Sequence, residues 1–226
     1  MQIKDKRIVI TGGSSGLGKE LARILLAEGA RVIISAHNET ELLAAGKELG
    51  CDLSVADVTD ERAVAGLVAH AKEHLGGLDI FVNNAGVWMP HCLAEEGDIV
   101  AARRMMEVNF WGTAYGSREA LRIMKTAKSG MILNIISVSA LGPRPTSSFY
   151  SSSKFAVDGF TKAIREEAAP LGVPVLSVYP SYMKTELFHE TKMEGYDNFL
   201  EPADVARKIV ENIKQDMPVA ELVIER

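Results

Sequence analysis

The chain has 226 residues, of which 47% are hydrophobic and 24% are charged, and its formal net charge is −5. A chain of this length can bury a large core without disulfides or a structural metal, and it forms one large domain or two small ones. Its acidic balance argues against a nucleic-acid partner, because nucleic-acid-binding domains are usually basic.

The two cysteines, Cys51 and Cys92, have no metal-type spacing. We therefore expect free thiols, no bound metal and a cytoplasmic location. The N-terminus lacks the apolar run of a signal peptide, and no uncharged stretch is long enough to span a membrane. This pattern predicts no association with membranes.

Short runs rich in valine and isoleucine recur along the chain and predict strands that are covered by helices on both faces. These runs span residues 7–11, 31–35, 52–56, 79–84, 131–137, 173–179 and 220–225. The segments between them have helical spacing, at about 16–29, 39–49, 60–75, 98–127, 147–170 and 202–214. This alternation predicts a doubly wound, Rossmann-type parallel sheet of about seven strands.

The chain has no linker-like stretch, so we expect a single domain over residues 1–226. One segment, residues 181–200, has neither a strand nor a helix pattern and is long for a plain connection. Loops of this length are often functional, and we expect a substrate-binding loop here.

The first predicted strand runs directly into a glycine-rich turn, TGGSSGLG, at residues 11–18. Glycine allows the sharp turn, and the N–H groups at the start of the following helix favour an anion such as a pyrophosphate. The spacing differs from G-x-G-x-x-G, so the strand before and the helix after carry the interpretation. The candidate phosphate-binding residues are Gly12, Ser14, Ser15, Gly16, Leu17 and Gly18.

The end of the second predicted strand bears on which dinucleotide binds. NAD-specific folds place a carboxylate there for the ribose 2′-hydroxyl. Here Ala36 takes that place and His37 follows it. No carboxylate is present to repel a 2′-phosphate, and His37 or its neighbours Ser35 and Asn38 could bind one. The sequence therefore favours NADP(H), and NAD(H) stays open.

Six motifs occur in an order and spacing that resemble the short-chain dehydrogenases/reductases. They are TGGSSGLG, ADV, NNAG, the asparagine of MEVNFWG, the serine of NIISVS, and YSSSK. The resemblance runs from Arg7 to about Glu225. It implies hydride transfer between a nicotinamide cofactor and a small carbonyl or alcohol, with 3-oxoacyl-carrier-protein reduction as a leading candidate. It also implies a homodimer or homotetramer joined through the helices at 98–127 and 147–170.

The YSSSK motif supplies a tyrosine and a lysine one helical turn apart, Tyr150 and Lys154. Carbonyl reduction needs a proton donor, but a free phenol has a pKa of ~10. Exchange near pH 7 requires a fall of about 3 units, or roughly 4 kcal/mol of anion stabilisation. We expect the lysine ammonium, with the charge of an oxidised nicotinamide, to favour the phenolate.

The resemblance assigns further roles. Ser137 would steady the substrate oxygen, with Ser139 as the competing candidate, and Asn109 would hold a water that relays protons to Lys154. It also gives Lys154 the ribose hydroxyls of the nicotinamide half. Asp57 and Val58 would contact the adenine. The remaining candidate cofactor contacts that the resemblance implies are Asn84, Ala85, Gly86, Tyr150, Pro180, Met183 and Thr185. Ser181 stands where the family has a glycine.

The expected substrate loop brings many apolar side chains, which predict a mainly apolar pocket; Lys184 and Lys192 leave a charged substrate open. We expect Trp88, His91 and His189 to line the pocket mouth. Besides an enzyme, the fold allows a non-catalytic dinucleotide sensor. The complete set of Asn109, Ser137, Tyr150 and Lys154 favours the enzyme.

Overall fold

A computed structural model describes residues 1–188 and 195–225 of the chain. The middle of the expected loop at 181–200, which includes His189, Lys192 and Met193, lies outside the described residues.

The described chain forms a seven-stranded parallel sheet, as the sequence predicts. Its strands are β1 (Arg7–Thr11), β2 (Arg31–Ala36), β3 (Asp52–Val55), β4 (Ile80–Asn83), β5 (Met131–Ile135), β6 (Val175–Pro180) and β7 (Glu221–Ile224). They lie in the order β3-β2-β1-β4-β5-β6-β7. The strand order reverses between β1 and β4, and ligands of such sheets bind in the crevice beyond the carboxyl ends of the strands at that point.

Seven α-helices of the described residues cover the sheet. They are α1 (Gly16–Ala27), α2 (Glu39–Leu49), α3 (Glu61–Leu75), α4 (Ile99–Met106), α5 (Gly112–Ala127), α6 (Ser148–Ala168) and α7 (Pro202–Lys214). Alternate residues of a strand point to opposite faces, so Ile8 and Ile10 pack with α1, α2 and α7, whereas Val9 packs with α3, α5 and α6. Both faces of the sheet are therefore buried, which confirms the doubly wound fold.

The single helix predicted at 98–127 was wrong in one respect, because a π-helical turn interrupts it at Glu107–Trp111. The side chain of Asn109 in this turn is buried and bonded to the backbone of Val87. Directly after the turn, Gly112 packs so closely on Val58 that a Cβ there would lie 2.8 Å from the Val58 Cγ2. Such turns concentrate at functional sites.

Candidate active site

A cavity of about 530 Å³ lies beyond the carboxyl ends of the strands and brings most of the predicted site residues together. The predicted residues that line it are Gly12, Ser14, Ser15, Gly16, Leu17, His37, Asp57, Val58, Asn84, Ala85, Gly86, Ser137, Tyr150, Lys154, Pro180, Met183 and Thr185. Two predicted residues, Gly18 and Asn109, do not line the cavity but pack directly behind residues that do. Gly18 packs against the Gly12 carbonyl, and Asn109 packs against Gly86.

The glycine turn after β1 has the backbone that its sequence predicts. Gly12 has a φ of +63°, and a Cβ there would lie 2.9 Å from the Ala85 Cα. No side chain caps the N-terminus of α1, and its first turn holds no acidic residue. The N–H groups at this helix end therefore remain available to an anion, which suits a pyrophosphate.

Thr185, which faces this glycine turn, also fits a bound dinucleotide. The Oγ1 of Thr185 is buried and has no hydrogen-bond partner among the described residues. A Cβ at Gly16 would lie 3.2 Å from the Thr185 Cγ2, so the two residues face each other closely. A buried hydroxyl without a partner is costly, and a polar ligand group would satisfy it.

The expected adenosine end contains an ion pair that the sequence analysis missed. Arg104 donates from its Nη2 to the Asp57 Oδ2 at 3.0 Å, and Thr59 donates to the Oδ1 from its backbone and its hydroxyl. Burial acts to raise the pKa of Asp57, but the Thr59 and Arg104 hydrogen bonds outweigh it and hold the pKa below its usual value. Arg104 is 47 residues from Asp57, and no local pattern marks it as a partner.

A second missed residue, Glu41, lines the cavity beside Ala36 and His37. The N-cap of α2, Asn38, donates from its side-chain amide to the Glu41 Oε1 at 2.7 Å. A carboxylate is thus held near the end of β2, although β2 itself ends without one. The sequence signal that could have identified Glu41 was its position three residues after the N-cap residue Asn38.

The predicted catalytic side chains meet where β5 ends. The Lys154 Nζ donates to the carbonyl oxygen of Ile135 at 3.2 Å and lies 5.8 Å from the centre of the Tyr150 ring. A hydrogen-bonding interaction links the Tyr150 phenol to the side chain of Ser137. Ser139 lines the same cavity, but it donates its backbone N–H to the Ser137 Oγ instead.

Burial dominates the ionisation of this cluster. It raises the pKa of Tyr150 to about 12, against a smaller lowering by the hydrogen bond with Ser137. It also lowers the pKa of Lys154 to about 8. The expected fall in the Tyr150 pKa is therefore not produced by the chain's own groups. The free-energy cost of desolvating the phenolate is larger than the stabilisation that neighbouring protein groups provide.

Asn109 anchors the helix that carries Tyr150 and Lys154. Its Nδ2 donates to the Val87 carbonyl and to the Ser153 Oγ, both at 3.0 Å, and its Oδ1 accepts from the Val87 N–H. Ser153 in turn donates to the Tyr150 carbonyl at 2.8 Å. The sequence analysis missed Ser153, although it stands inside YSSSK.

Among residues 1–188 and 195–225, three or more histidine, cysteine, aspartate or glutamate side chains nowhere converge as a metal site would need. Within the same residues, no helix has the length and apolar character that would let it cross a membrane.

Comparison with known proteins agrees with this geometry. A sequence profile described as short chain dehydrogenase matches residues 6–195. An uncharacterised oxidoreductase of Staphylococcus saprophyticus is 34% identical over 221 residues, which cover 95% of this chain and 94% of that protein. A 3-ketoacyl-(acyl-carrier-protein) reductase from Brucella melitensis, solved in complex with NADH, superposes with a TM-score of 0.92 at 26% identity over 98% of this chain and 97% of its own.

A short-chain dehydrogenase from Streptomyces avermitilis superposes with a TM-score of 0.86, also at 26% identity, over 97% of this chain and 88% of its own. A parallel sheet with a glycine turn at its switch point defines a Rossmann-type nucleotide-binding protein. Within that class, the family match over most of the chain is decisive: the chain belongs to the short-chain dehydrogenase family of oxidoreductases.

Proposed function

We propose that this protein transfers a hydride between a nicotinamide dinucleotide and a carbonyl or secondary-alcohol substrate, with Tyr150 as general acid and base. The observation that carries this proposal is the meeting of Ser137, Tyr150 and Lys154 in the cavity that also holds the glycine turn. The dinucleotide, when bound, supplies or accepts the hydride.

In the reducing direction, the carbonyl carbon takes the hydride and its oxygen takes the phenolic proton of Tyr150. The Ser137 hydroxyl donates a hydrogen bond to that oxygen as negative charge develops on it. A Tyr150 pKa near 12 opposes this exchange at neutral pH. Positive charge must therefore enter beside the phenol, from Lys154 and from an oxidised nicotinamide.

Lys154 and Thr185 are proposed to hold the nicotinamide half of the dinucleotide, and Asp57 and Val58 its adenine. The absence of a carboxylate at Ala36 supports NADP(H) as the preferred form. Glu41 is the observation that favours NAD(H), because its carboxylate lines the same end of the cavity.

Several broader expectations remain proposals. They are a single domain over residues 1–226 with 181–200 as its substrate loop, a cytoplasmic location, a relay water at Asn109, and a homodimer or homotetramer. The exposed Trp111 and Phe155 support an assembly through the long helices, since each leaves 43% of its surface accessible. 3-Oxoacyl thioester reduction is the leading substrate candidate, by similarity to the Brucella reductase.

A panel of ketones, 3-oxoacyl thioesters and secondary alcohols, followed through the nicotinamide absorbance, tests the proposal. We expect turnover of at least one class, and a loss of about 100-fold or more in kcat for Tyr150→Phe. Dinucleotide affinity, titrated by fluorescence, should stay within about twofold, since the phenol acts on the substrate. Tyr115→Phe is the matched control. A non-catalytic sensor would bind dinucleotide and turn over nothing.

A further inference from the structure

An exposed positive charge that the proposed chemistry does not use lies beside the cavity, next to the lining residue Tyr182, at the part called the cavity mouth. Arg144 lies in the connection between β5 and α6, with its guanidinium carbon 5.4 Å from the centre of the Tyr182 ring. Tyr182 lines the cavity, and its phenol acts electrostatically on that of Tyr150. The guanidinium therefore lies over a ring whose phenol acts on the group proposed to protonate the substrate.

The backbone on either side of Arg144 is restricted in two ways. Pro143 and Pro145 flank it and restrict the backbone, since proline fixes its own φ and limits the residue before it. The Thr146 carbonyl accepts a hydrogen bond from the Cys92 N–H at 3.0 Å, which ties the connection to the segment that carries His91.

His91 also lines the cavity and lies within electrostatic range of this charge. Burial, followed by the positive charge of Arg144, lowers the pKa of His91, so the imidazole is neutral at pH 7. The mouth thus presents one permanent cation beside a neutral hydrogen-bonding ring.

The guanidinium is also available for a ligand. No carboxylate of the described residues lies within 4.0 Å of it. By contrast, Lys184 is paired with Glu201 at 2.7 Å, and Lys192 lies outside the described residues. Glu186 lines the cavity but follows Thr185, which faces Gly16 at the phosphate end. A guanidinium stacked on an aromatic face keeps its N–H edge free for a carboxylate.

We propose that the substrate carries a carboxylate, which Arg144 binds at the cavity mouth while its carbonyl lies at Tyr150. The protein is then a reductase of oxo acids, or in the reverse direction a dehydrogenase of hydroxy acids. This inference rests on the proposed function, and within it favours an oxo acid over the 3-oxoacyl thioester that similarity alone suggests.

The test compares straight-chain oxo acids, from 4-oxopentanoate to 7-oxooctanoate, with their methyl esters. We expect the wild type to favour at least one acid in kcat/KM. Arg144→Gln should lower the acid-to-ester ratio by about 10-fold, because it removes a charge-assisted hydrogen-bonding pair. Lys72→Gln, the same charge change on the last turn of α3, should leave the ratio unchanged. Sodium chloride should weaken acid turnover more than ester turnover.

An equal ratio in Arg144→Gln and wild type, or a wild type that favours the esters throughout, overturns the proposal. If neither acids nor esters are turned over, the wider panel of ketones, thioesters and alcohols still decides the proposed function, and calorimetric binding decides this inference. Tighter binding of an acid than of its ester by the wild type, lost in Arg144→Gln and kept in Lys72→Gln, supports the carboxylate site. Binding that Arg144→Gln leaves unchanged removes it.

Discussion

The Nδ2 of Asn109 donates to the Ser153 Oγ at 3.0 Å, and this bond joins the π-helical turn to the helix that carries Tyr150 and Lys154. Ser153 extends this hydrogen-bonded connection to Tyr150, because its hydroxyl donates to the Tyr150 carbonyl. The serine lies between the two proposed catalytic residues in sequence and is fully buried. Its hydroxyl therefore fixes the turn of α6 on which their relative position depends.

Replacing Ser153 with alanine should destabilise the protein. The change leaves the buried Asn109 amide without one of its partners, and we expect the free energy of unfolding to fall by about 1–3 kcal/mol. Chemical denaturation measures this loss. Ser152→Ala is the control, since Ser152 is exposed in the same motif. Equal stabilities of the two variants would argue against the anchoring role.

Burial of Lys154 predicts a pH-dependent stability. Its pKa is about 8 in the folded state and 10.5 ordinarily, so between these values the unfolded chain binds the extra proton. This residue therefore contributes stability that rises from pH 8 to about 10.5, by up to about 3 kcal/mol. The gain in the free energy of unfolding of Lys154→Met over wild type should therefore be largest at pH 7.

Denaturation of both proteins at pH 7, 8, 9 and 10 follows this difference. The advantage of Lys154→Met should shrink steadily as the pH rises, whereas Lys208→Met on the exposed side of α7 should give a flat difference. A difference for Lys154→Met that does not change with pH would contradict a buried, easily deprotonated lysine.

A side chain at Gly18 should block the phosphate turn. A Cβ there collides with the Gly12 carbonyl oxygen and the Asn84 amide, so Gly18→Ala must push α1 away from the turn. We expect a loss of about 1–3 kcal/mol in stability and at least a tenfold weaker dinucleotide affinity by fluorescence. Gly66→Ala, where a Cβ meets open space on α3, should instead stabilise by up to about 1 kcal/mol.

Glu41 offers a test of cofactor choice. Its carboxylate should repel a 2′-phosphate, so Glu41→Gln should improve NADPH affinity relative to NADH by about fivefold. Fluorescence titration with both dinucleotides gives the ratio. Glu39→Gln removes the same charge two residues before Glu41, at a position that does not line the cavity, and should leave the ratio unchanged. Equal shifts of this affinity ratio in both variants would mean that the protein's net charge, and not the position of Glu41, determines it.

The order of strands and helices could be predicted because it depends on local spacing. Continuous apolar runs indicate strands that are buried on both faces. Their alternation with helical segments predicts the seven-stranded sheet. The side chain of Asn83 at the end of β4 donates to that of Asn134 on the neighbouring strand β5, a bond between residues 51 positions apart that no local spacing predicts. The π turn at Asn109 could not be predicted, because it depends on Val87 and Val58 packing against it from distant parts of the chain.

By itself, the sequence determined the residues that its short motifs place together: the glycine turn, and a tyrosine and a lysine one helical turn apart. Only the tertiary structure decided that Arg104 pairs with Asp57, that Arg144 lies over the ring of Tyr182, and that the Tyr150 pKa rises. The reason is physical. Spacing along a helix or turn is fixed by neighbouring residues, whereas ion pairs and desolvation depend on which distant segments close over a group.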